Sequence, residues 1–336
     1  MRSLVVIYMP VYNEAAYIGA AIESVLAQSH RDFTLLISDN HSTDATAEII
    51  ARYARDDSRI LVVSPARHCP SLEHNQWLFN ELLAVPGEYR YSLFMGGHDQ
   101  LHHDYLLQLV AAAEDDPGSA IVYGRCDEID GRGALLQSYQ GYLQVVEQAR
   151  YIIPIVVLAT LTHNIVYSGL WRESLRQRVK VRYRCTGSDH LLIAEMALLG
   201  HIRLVPDALI FMRRMPGHGQ GQVYKAKHLG DAAVDPNRDF AQQIDWTLAL
   251  VDRAIEGHDF YAQPAARQML RTATVSTYIN RYWHNLTHFE AGIDRFFQHP
   301  SVQQLLALHA HYDQVVVQYL GEHLANAAQA TAGRQP

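Results

Sequence analysis

Over the first 120 residues, short unbroken apolar runs alternate with stretches whose apolar positions recur every three or four residues. Leu4–Tyr8 is an apolar run of the kind a strand covered on both faces requires. Ile18, Ile22, Val25 and Leu26 then fall at helical spacing, with Asn13 as the expected N-cap. Phe33–Ser38, Ile60–Val63, Tyr91–Met95 and Ala120–Tyr123 predict further strands. Between them, helices are expected around Ala47–Tyr53 (capped by Ser42 or Thr43), Leu72–Leu83 and Tyr105–Ala113. Alternation of this kind predicts an α/β fold, a mainly parallel sheet with helices on both faces.

The pattern is less regular from 125 to 186. Gly131-Arg132-Gly133 marks a hairpin turn, and Ile165–Tyr167 reads as a strand. Asp189–Leu199 is a strongly apolar helix ended by Gly200, a residue suited to the C′ position. Ile202–Val205 and Leu209–Met212 read as two strands. A breaker-rich stretch, Met215 to Gln222, precedes a helical texture: one helix around Trp246–Val251, a second around Tyr278–Phe289, a third around Val315–Leu324. The expected organisation is an α/β domain over 1–215, a linker over 216–238 and a helical subdomain over 239–330.

Length and composition narrow the function classes. The 336 residues, 49% of them hydrophobic, suffice for a large α/β domain and an addition. A net charge of -7 excludes the basic footprint of non-specific nucleic-acid binding. Cys69, Cys126 and Cys185 form no CxxC pair, so idle thiols in a reducing compartment are the expectation over redox or zinc chemistry. The N-terminal apolar run has the length of a strand, not of a secretory h-region, and Ile152–Leu161 is interrupted by Pro154 and too short to span a bilayer. A cytoplasmic protein is expected, with peripheral membrane contact and a homodimer both left open.

Three segments that follow strands carry the candidate chemistry, because ligands of open parallel sheets bind outside the carboxyl ends of the strands. Pro10-Val11-Tyr12-Asn13-Glu14 offers a fixed turn and a ring face for a base. Asp39, at the end of the second strand, can accept from the edge of a base or, with Ser42, merely cap the next helix. Gly96-Gly97-His98-Asp99 joins two residues that let backbone approach a ligand closely to a carboxylate able to hold a divalent cation.

In order and spacing these segments resemble family 2 glycosyltransferases: Pro10 to Glu14, Ser24-Val25-Leu26-Ala27-Gln28, Asp39 with Ser42-Thr43-Asp44, and Asn75 on the third helix. The resemblance covers about residues 4 to 215 and implies a GT-A fold and sugar transfer from a nucleotide diphosphate donor, with a UDP-sugar expected. It further implies that Pro10, Val11, Tyr12, Glu14, Asp39 and Asn75 hold the nucleotide. Asp99 matches the carboxylate that binds metal and diphosphate. Gly96, Gly97 and His98 stand where such proteins carry a more acidic motif, which favours Mn²⁺ over Mg²⁺ or makes His98 a hydrogen-bond donor to the ribose.

Thr186-Gly187-Ser188-Asp189-His190 resembles the stretch that carries the family's catalytic carboxylate. The resemblance makes Asp189 the base of an inverting hexosyl transfer, against the plainer role of a helix-N-terminal acid. Arg213 and Arg214 fit a diphosphate, and His218 is a weaker candidate for the metal shell. The expected acceptor is a glycan or a lipid-linked precursor. The helical end is read as a packed bundle, with an acceptor pocket or dimer surface as the alternative. The rival functions are a catalytically degenerate nucleotide-binding protein of the same fold, a nucleotidyltransferase, and a scaffold.

Overall fold

The computed structural model describes residues 4–81, 89–140, 143, 145, 153, 156–157, 164–179, 188–215, 236–256 and 259–287. The chain forms two compact units, Met1–Asp235 and Pro236–Pro336.

The first unit is built on one sheet. β1 (Val5–Val11) lies between β2 (Phe33–Asp39) and β4 (Tyr91–Phe94), with β3 (Ile60–Val63) outside β2, and these four strands are parallel. β8 (Leu170–Arg172) runs antiparallel to β4 and to β6 (Ser119–Ile129). β9 (His201–Arg213) is parallel to β6 and carries the short β5 (Gln100–Leu101) antiparallel on its other side. β7 (Leu135–Tyr139) folds back on β6 as a hairpin. The expected parallel sheet is thus found in the N-terminal half, and the half beyond β4 is mixed.

β1 is an interior strand, and Val5, Val6, Ile7, Tyr8 and Met9 are all buried, as a strand covered on both faces must be. The predicted helices are found as α1 (Ile18–Leu26), α2 (Thr46–Asp56), α3 (Ser71–Glu81), α4 (Tyr105–Asp115) and, after a short α5 (Glu173–Arg176) that the pattern did not predict, α6 (Ser188–Ala197). The α1 face of Ile18, Ala21, Ile22 and Val25 is buried, matching its apolar spacing. α4 buries Tyr105, Leu106, Leu109, Val110 and Ala113 and packs on β6, β8 and β9.

Several local expectations are corrected. Asn13 is not the N-cap of α1; it takes a left-handed φ of 56°, and the helix opens at Tyr17 with no side-chain cap. The first amides, Tyr17 N and Ile18 N, donate to the Glu14 carbonyl instead, each at 2.9 Å. Ser42 and Thr43 do not cap α2, whose N-cap is Ala45. Residues 164–166 form a 3₁₀ turn where a strand was expected over 165–167, and the strand begins at Leu170. The two strands expected over 202–212 are one strand, β9, with an irregularity opposite Gly124 and Arg125. Gly200 does follow the helix, but its φ is not left-handed; a Cβ there would lie 2.5 Å from the Gly118 carbonyl oxygen. That glycine is required by close packing, not by a left-handed cap.

In the second unit, α7 (Pro236–Ala254) and α8 (Pro264–Thr287) pack together across a 3₁₀ turn at Asp259–Ala262. Leu248, Val251, Ala254, Ile255, Ala266 and Leu270 are buried there, and Arg271 pairs with Asp252. Among the described residues, no helix is long and apolar enough to cross a membrane. The helix expected over 315–324 lies outside the described residues, as do Cys185 and most of the expected linker.

Two glycines give this fold a sharp test. A Cβ on Gly124 would sit 2.3 Å from the Ala208 carbonyl oxygen and 2.8 Å from the Tyr105 ring, so the β6–β9 seam must part. Gly133, at φ 87° in the hairpin turn, has open space around it. Gly124→Ala is expected to cost about 3 kcal/mol or to abolish folding, and Gly133→Ala about 1 kcal/mol through backbone strain alone. Denaturant unfolding of the two variants checks the order, and equal losses would refute the packing account.

Candidate functional site

The first site loop leaves β1 at Val11, the second leaves β2 at Asp39, and the register pairs these two residues. The loops are then stitched together. Asn40 N donates to Val11 O at 2.9 Å, Asn13 N to Ser42 Oγ at 2.9 Å, and Thr43 N to Asn13 Oδ1 at 2.8 Å. Glu14 N donates to Thr46 Oγ1 at 2.8 Å and Ala15 N to Asp44 Oδ2 at 3.1 Å. The Asn-Glu and Ser-Thr-Asp residues of the sequence motif therefore bind one another. The left-handed Asn13 and His41, at φ 56° and 60°, are the corners that make this clasp. Asp39 is largely buried, and its Oδ1 accepts from Ser42 N at 3.2 Å and from the Ser42 hydroxyl. This is a local turn and not the helix cap weighed from the sequence, since the N-cap of α2 is Ala45. It occupies Oδ1 most tightly and holds the carboxylate at the mouth of β2.

The loop after β3 joins the second loop. The Asn40 side chain donates to Cys69 O at 2.8 Å and accepts from Cys69 N at 3.1 Å. His68 Nδ1 lies 2.9 Å from Asn40 O, and its ring meets that of Tyr12 at 4.6 Å. His74 Nε2 is 2.7 Å from Ser38 Oγ, so α3 is anchored next to Asp39. Its neighbour Asn75 is half-buried on α3. Sequence reading named Tyr12, Asp39 and Asn75 but passed over His68 and His74. Two histidines just beyond a strand end, on the side where β1 and β2 open, were the available signal.

The loop after β4 comes closest to β1. A Cβ on Gly97 would lie 2.5 Å from Val11 Cγ1 and 3.4 Å from Glu14 Cγ, so only glycine fits. This approach sets His98 Nδ1 2.9 Å from Glu14 Oε1. An ionised carboxylate only accepts, so Nδ1 carries the proton. His98 Nε2 lies 3.9 Å from Asp99 Oδ1. The structure thus brings together Val11, Glu14, Gly97, His98 and Asp99, and it places the Glu14 carboxylate against His98. Burial acts to lower the His98 pKa, but the bond to Glu14 and the charge of Asp99 outweigh it, and the pKa is raised. Burial raises the pKa of Asp99, opposed by the His98 charge and by the Arg213 amide.

β9 closes the far side. Asp99 Oδ1 accepts from Arg213 N at 2.9 Å, because β5 pairs Gln100 with Phe211 and carries Asp99 alongside the end of β9. The Arg213 guanidinium donates to His98 O at 3.1 Å and to Asp130 O at 2.6 Å, and covers the Tyr17 ring at 4.9 Å. Arg214 forms a two-pronged pair with Glu128. Both arginines expected at a diphosphate are therefore committed to the frame of the site.

Asp189 stands half-buried in the first turn of α6. Its charge helps to raise the pKa of the half-buried Tyr167, after burial as the larger cause. The Tyr167 ring packs on Phe94, the last residue of β4, at 4.6 Å. Tyr167, a residue not singled out from the sequence as a candidate for the site, is thus the group beside β4 on which the Asp189 charge acts. Thr186, Gly187 and His218 lie outside the described residues.

Comparisons with known proteins bear on the fold that carries these loops. The sequence model of Glycosyl transferase family 2 matches residues 6–169, just under half of the chain. A GalNAc(5)-diNAcBac-PP-undecaprenol beta-1,3-glucosyltransferase of Campylobacter jejuni is 27% identical over 135 residues, 40% of this chain and 41% of that protein. The chain spans less than half the length of the curated relatives it matches. Among solved structures, S. aureus TarS 1-349 in complex with UDP-GlcNAc superposes with a TM-score of 0.60 at 17% identity, over 91% of this chain and 80% of that one. A mannosyltransferase of Pyrobaculum calidifontis, in complex with GDP-Man and Mn²⁺, gives 0.50 at 14% identity, over 97% of this chain and 81% of that one. The shared fold is GT-A.

His74 makes the anchoring of α3 measurable. Burial, only partly offset by the Asp39 charge, holds its pKa down at about 4 from an ordinary 6.5. The unfolded chain binds this proton more readily, so stability is fully present above the ordinary value and falls as pH drops through the window toward 4. The slope from this one group is at most about 1.4 kcal/mol per pH unit. His74→Gln is expected to remove that slope in denaturant unfolding at a series of pH values. Parallel wild-type and variant profiles would refute it.

Proposed function

We propose, from the premise that residues 6–169 of this chain belong to glycosyl transferase family 2, that it transfers a hexosyl group from a UDP-sugar to a hydroxyl of a glycan or lipid-linked precursor, with inversion. The observation that carries the reading is the convergence of three loops, after β1, β2 and β4, at the carboxyl ends of parallel strands. Tyr12, beside His68, would present a ring face to the base, and Asp39 a carboxylate to its edge. The helix-side amides of the Glu14–Ala15 turn are taken by Thr46 and Asp44, so base recognition falls to side chains.

The acceptor oxygen attacks the anomeric carbon and its proton passes to the Asp189 carboxylate. The carbon–oxygen bond to the diphosphate breaks, and the diphosphate leaves with the bonding pair. A divalent cation, when bound, neutralises the charge that develops on the leaving group. The residues present fit such an ion sparsely. A Cβ on Gly96 would lie 2.7 Å from Asp99 Oδ2 and 3.4 Å from His98 Nε2, so both atoms border the space that this glycine leaves. Among the described residues, no group of three His, Cys, Asp or Glu side chains is placed to hold a metal. Asp99 and His98 would be its protein ligands, the diphosphate and water completing the shell. One imidazole among the donors favours Mn²⁺ over Mg²⁺.

Calorimetry with UDP, GDP and dTDP, each with Mn²⁺, Mg²⁺ or chelator, tests the donor site. UDP with Mn²⁺ is expected to bind most tightly, and Asp99→Asn to lose about tenfold or more of that affinity. Asp189→Asn is expected to keep UDP affinity while transfer falls about 10²–10⁴-fold. Binding without any turnover would favour a degenerate nucleotide-binding protein. No binding of any nucleotide would overturn the reading.

A further inference from the structure

We infer that Glu14 is a positioning residue: it fixes the His98 ring so that Nε2 faces the space beside Gly96 shared with the Asp99 carboxylate. This rests on the donor-site reading above and assigns Glu14 to the cation side of that site, whereas the family resemblance assigns it to the nucleotide base.

Four observations carry it. First, the Glu14 backbone cannot swing away. Its amide is held by Thr46 Oγ1 at 2.8 Å, and its carbonyl accepts both opening amides of α1 at 2.9 Å. Second, the side chain runs over Gly97, whose missing Cβ would press on Glu14 Cγ at 3.4 Å, and ends with Oε1 2.9 Å from His98 Nδ1. Third, the bond fixes the ring's tautomer and plane, which turns Nε2 toward Asp99, 3.9 Å from Oδ1 and bordering the same glycine space as Oδ2. A carboxylate that holds one ring nitrogen so that the other meets a metal is the usual outer partner of histidine ligands. Fourth, Glu14 Oε2 is buried and, among the described residues, has no hydrogen-bond partner. Leaving a carboxylate oxygen desolvated and bare is costly. A histidine bond made for stability alone would be served by a neutral acceptor, which carries no such second oxygen.

The remaining groups around His98 support the same orientation. Arg213 donates to the His98 carbonyl, not to the ring, and its guanidinium is fixed on Asp130 O and over Tyr17. The backbone of His98 is thus clamped from the β9 side and its ring from the β1 side. Gly96 and Gly97 leave room for both clamps.

The test compares wild type, Glu14→Gln, His98→Gln and the double variant. Mn²⁺ affinity is read by electron paramagnetic resonance in the presence of UDP, nitrogen coordination by spin-echo modulation of bound Mn²⁺, and metal-free uridine binding by calorimetry. Wild type is expected to show nitrogen modulation that His98→Gln abolishes. Glu14→Gln is expected to weaken Mn²⁺ about 10–100-fold and to change uridine affinity less than twofold. The double variant is expected to lose no more Mn²⁺ affinity than His98→Gln alone, since Glu14 acts through His98. Melting temperatures within a few degrees of wild type show that the variants fold, and Glu14→Asp serves as a shorter carboxylate if Glu14→Gln does not. Unchanged Mn²⁺ affinity in Glu14→Gln, losses that add in the double variant, or an equal loss of uridine affinity would each overturn the inference and leave the donor site standing. Failure of wild type to bind UDP under every condition would instead overturn the donor site, and the inference with it.

Discussion

The site depends on the approach of Gly97 to Val11. With no Cβ in the way, the exit loop of β4 lies directly on the last residue of β1, in a gap where a methyl carbon would stand 2.5 Å from Val11 Cγ1. Only at that separation does His98 reach Glu14, and only from there does Asp99 fall beside the end of β9. The parallel pairing of β1 with β2 and β4 brings the three exits to one side of the sheet. The glycine contact converts that common side into a set of touching functional groups.

The charged groups around this contact divide into frame and face. Arg213 is buried and serves the frame, tying His98, Asp130 and Tyr17 to the end of β9. Arg214 is exposed but engaged with Glu128. Farther down the sheet, Arg176 is buried with Glu173 and lies over the Phe79 ring, a pair that would be costly to break because either partner would be left as a lone buried charge. Among the described residues, these guanidinium groups are thus committed to partners within the protein. Arg213 and Arg214, which the sequence offered as help at a diphosphate beside a cation at Asp99, each hold a partner in the frame of the site.

The core elements were legible because their signal is local. An unbroken run of strand length such as Val5–Met9 favours a buried strand, and the Ile18, Ile22, Val25 spacing favours an amphipathic helix. The order of these elements put Asp39 and Gly96–Asp99 just after parallel strands, and the structure has both segments on one side of the sheet. The errors share a different cause. Asn13, Ser42 and Thr43 are good cap residues by type, yet they were recruited across 29 and 30 residues to bond one another. Ile165–Tyr167 has strand composition, but Tyr167 is drawn into packing on Phe94 and Trp171 and the strand starts later.

The sequence by itself therefore determined the alternation of strands and helices, the buried first strand, a motif order that resembles glycosyl transferase family 2 and the residue types available for chemistry. These follow from periodicity and from side-chain character, which each residue carries with it. Only the tertiary structure decided which groups meet: Glu14 with His98, Asp99 with the Arg213 amide, Arg214 with Glu128, and Tyr12 with His68. The physical reason is that a hydrogen bond or ion pair needs two partners within about 3 Å and in line. For residues 84 or 114 positions apart, the path of the sheet sets that distance, and no local pattern records it.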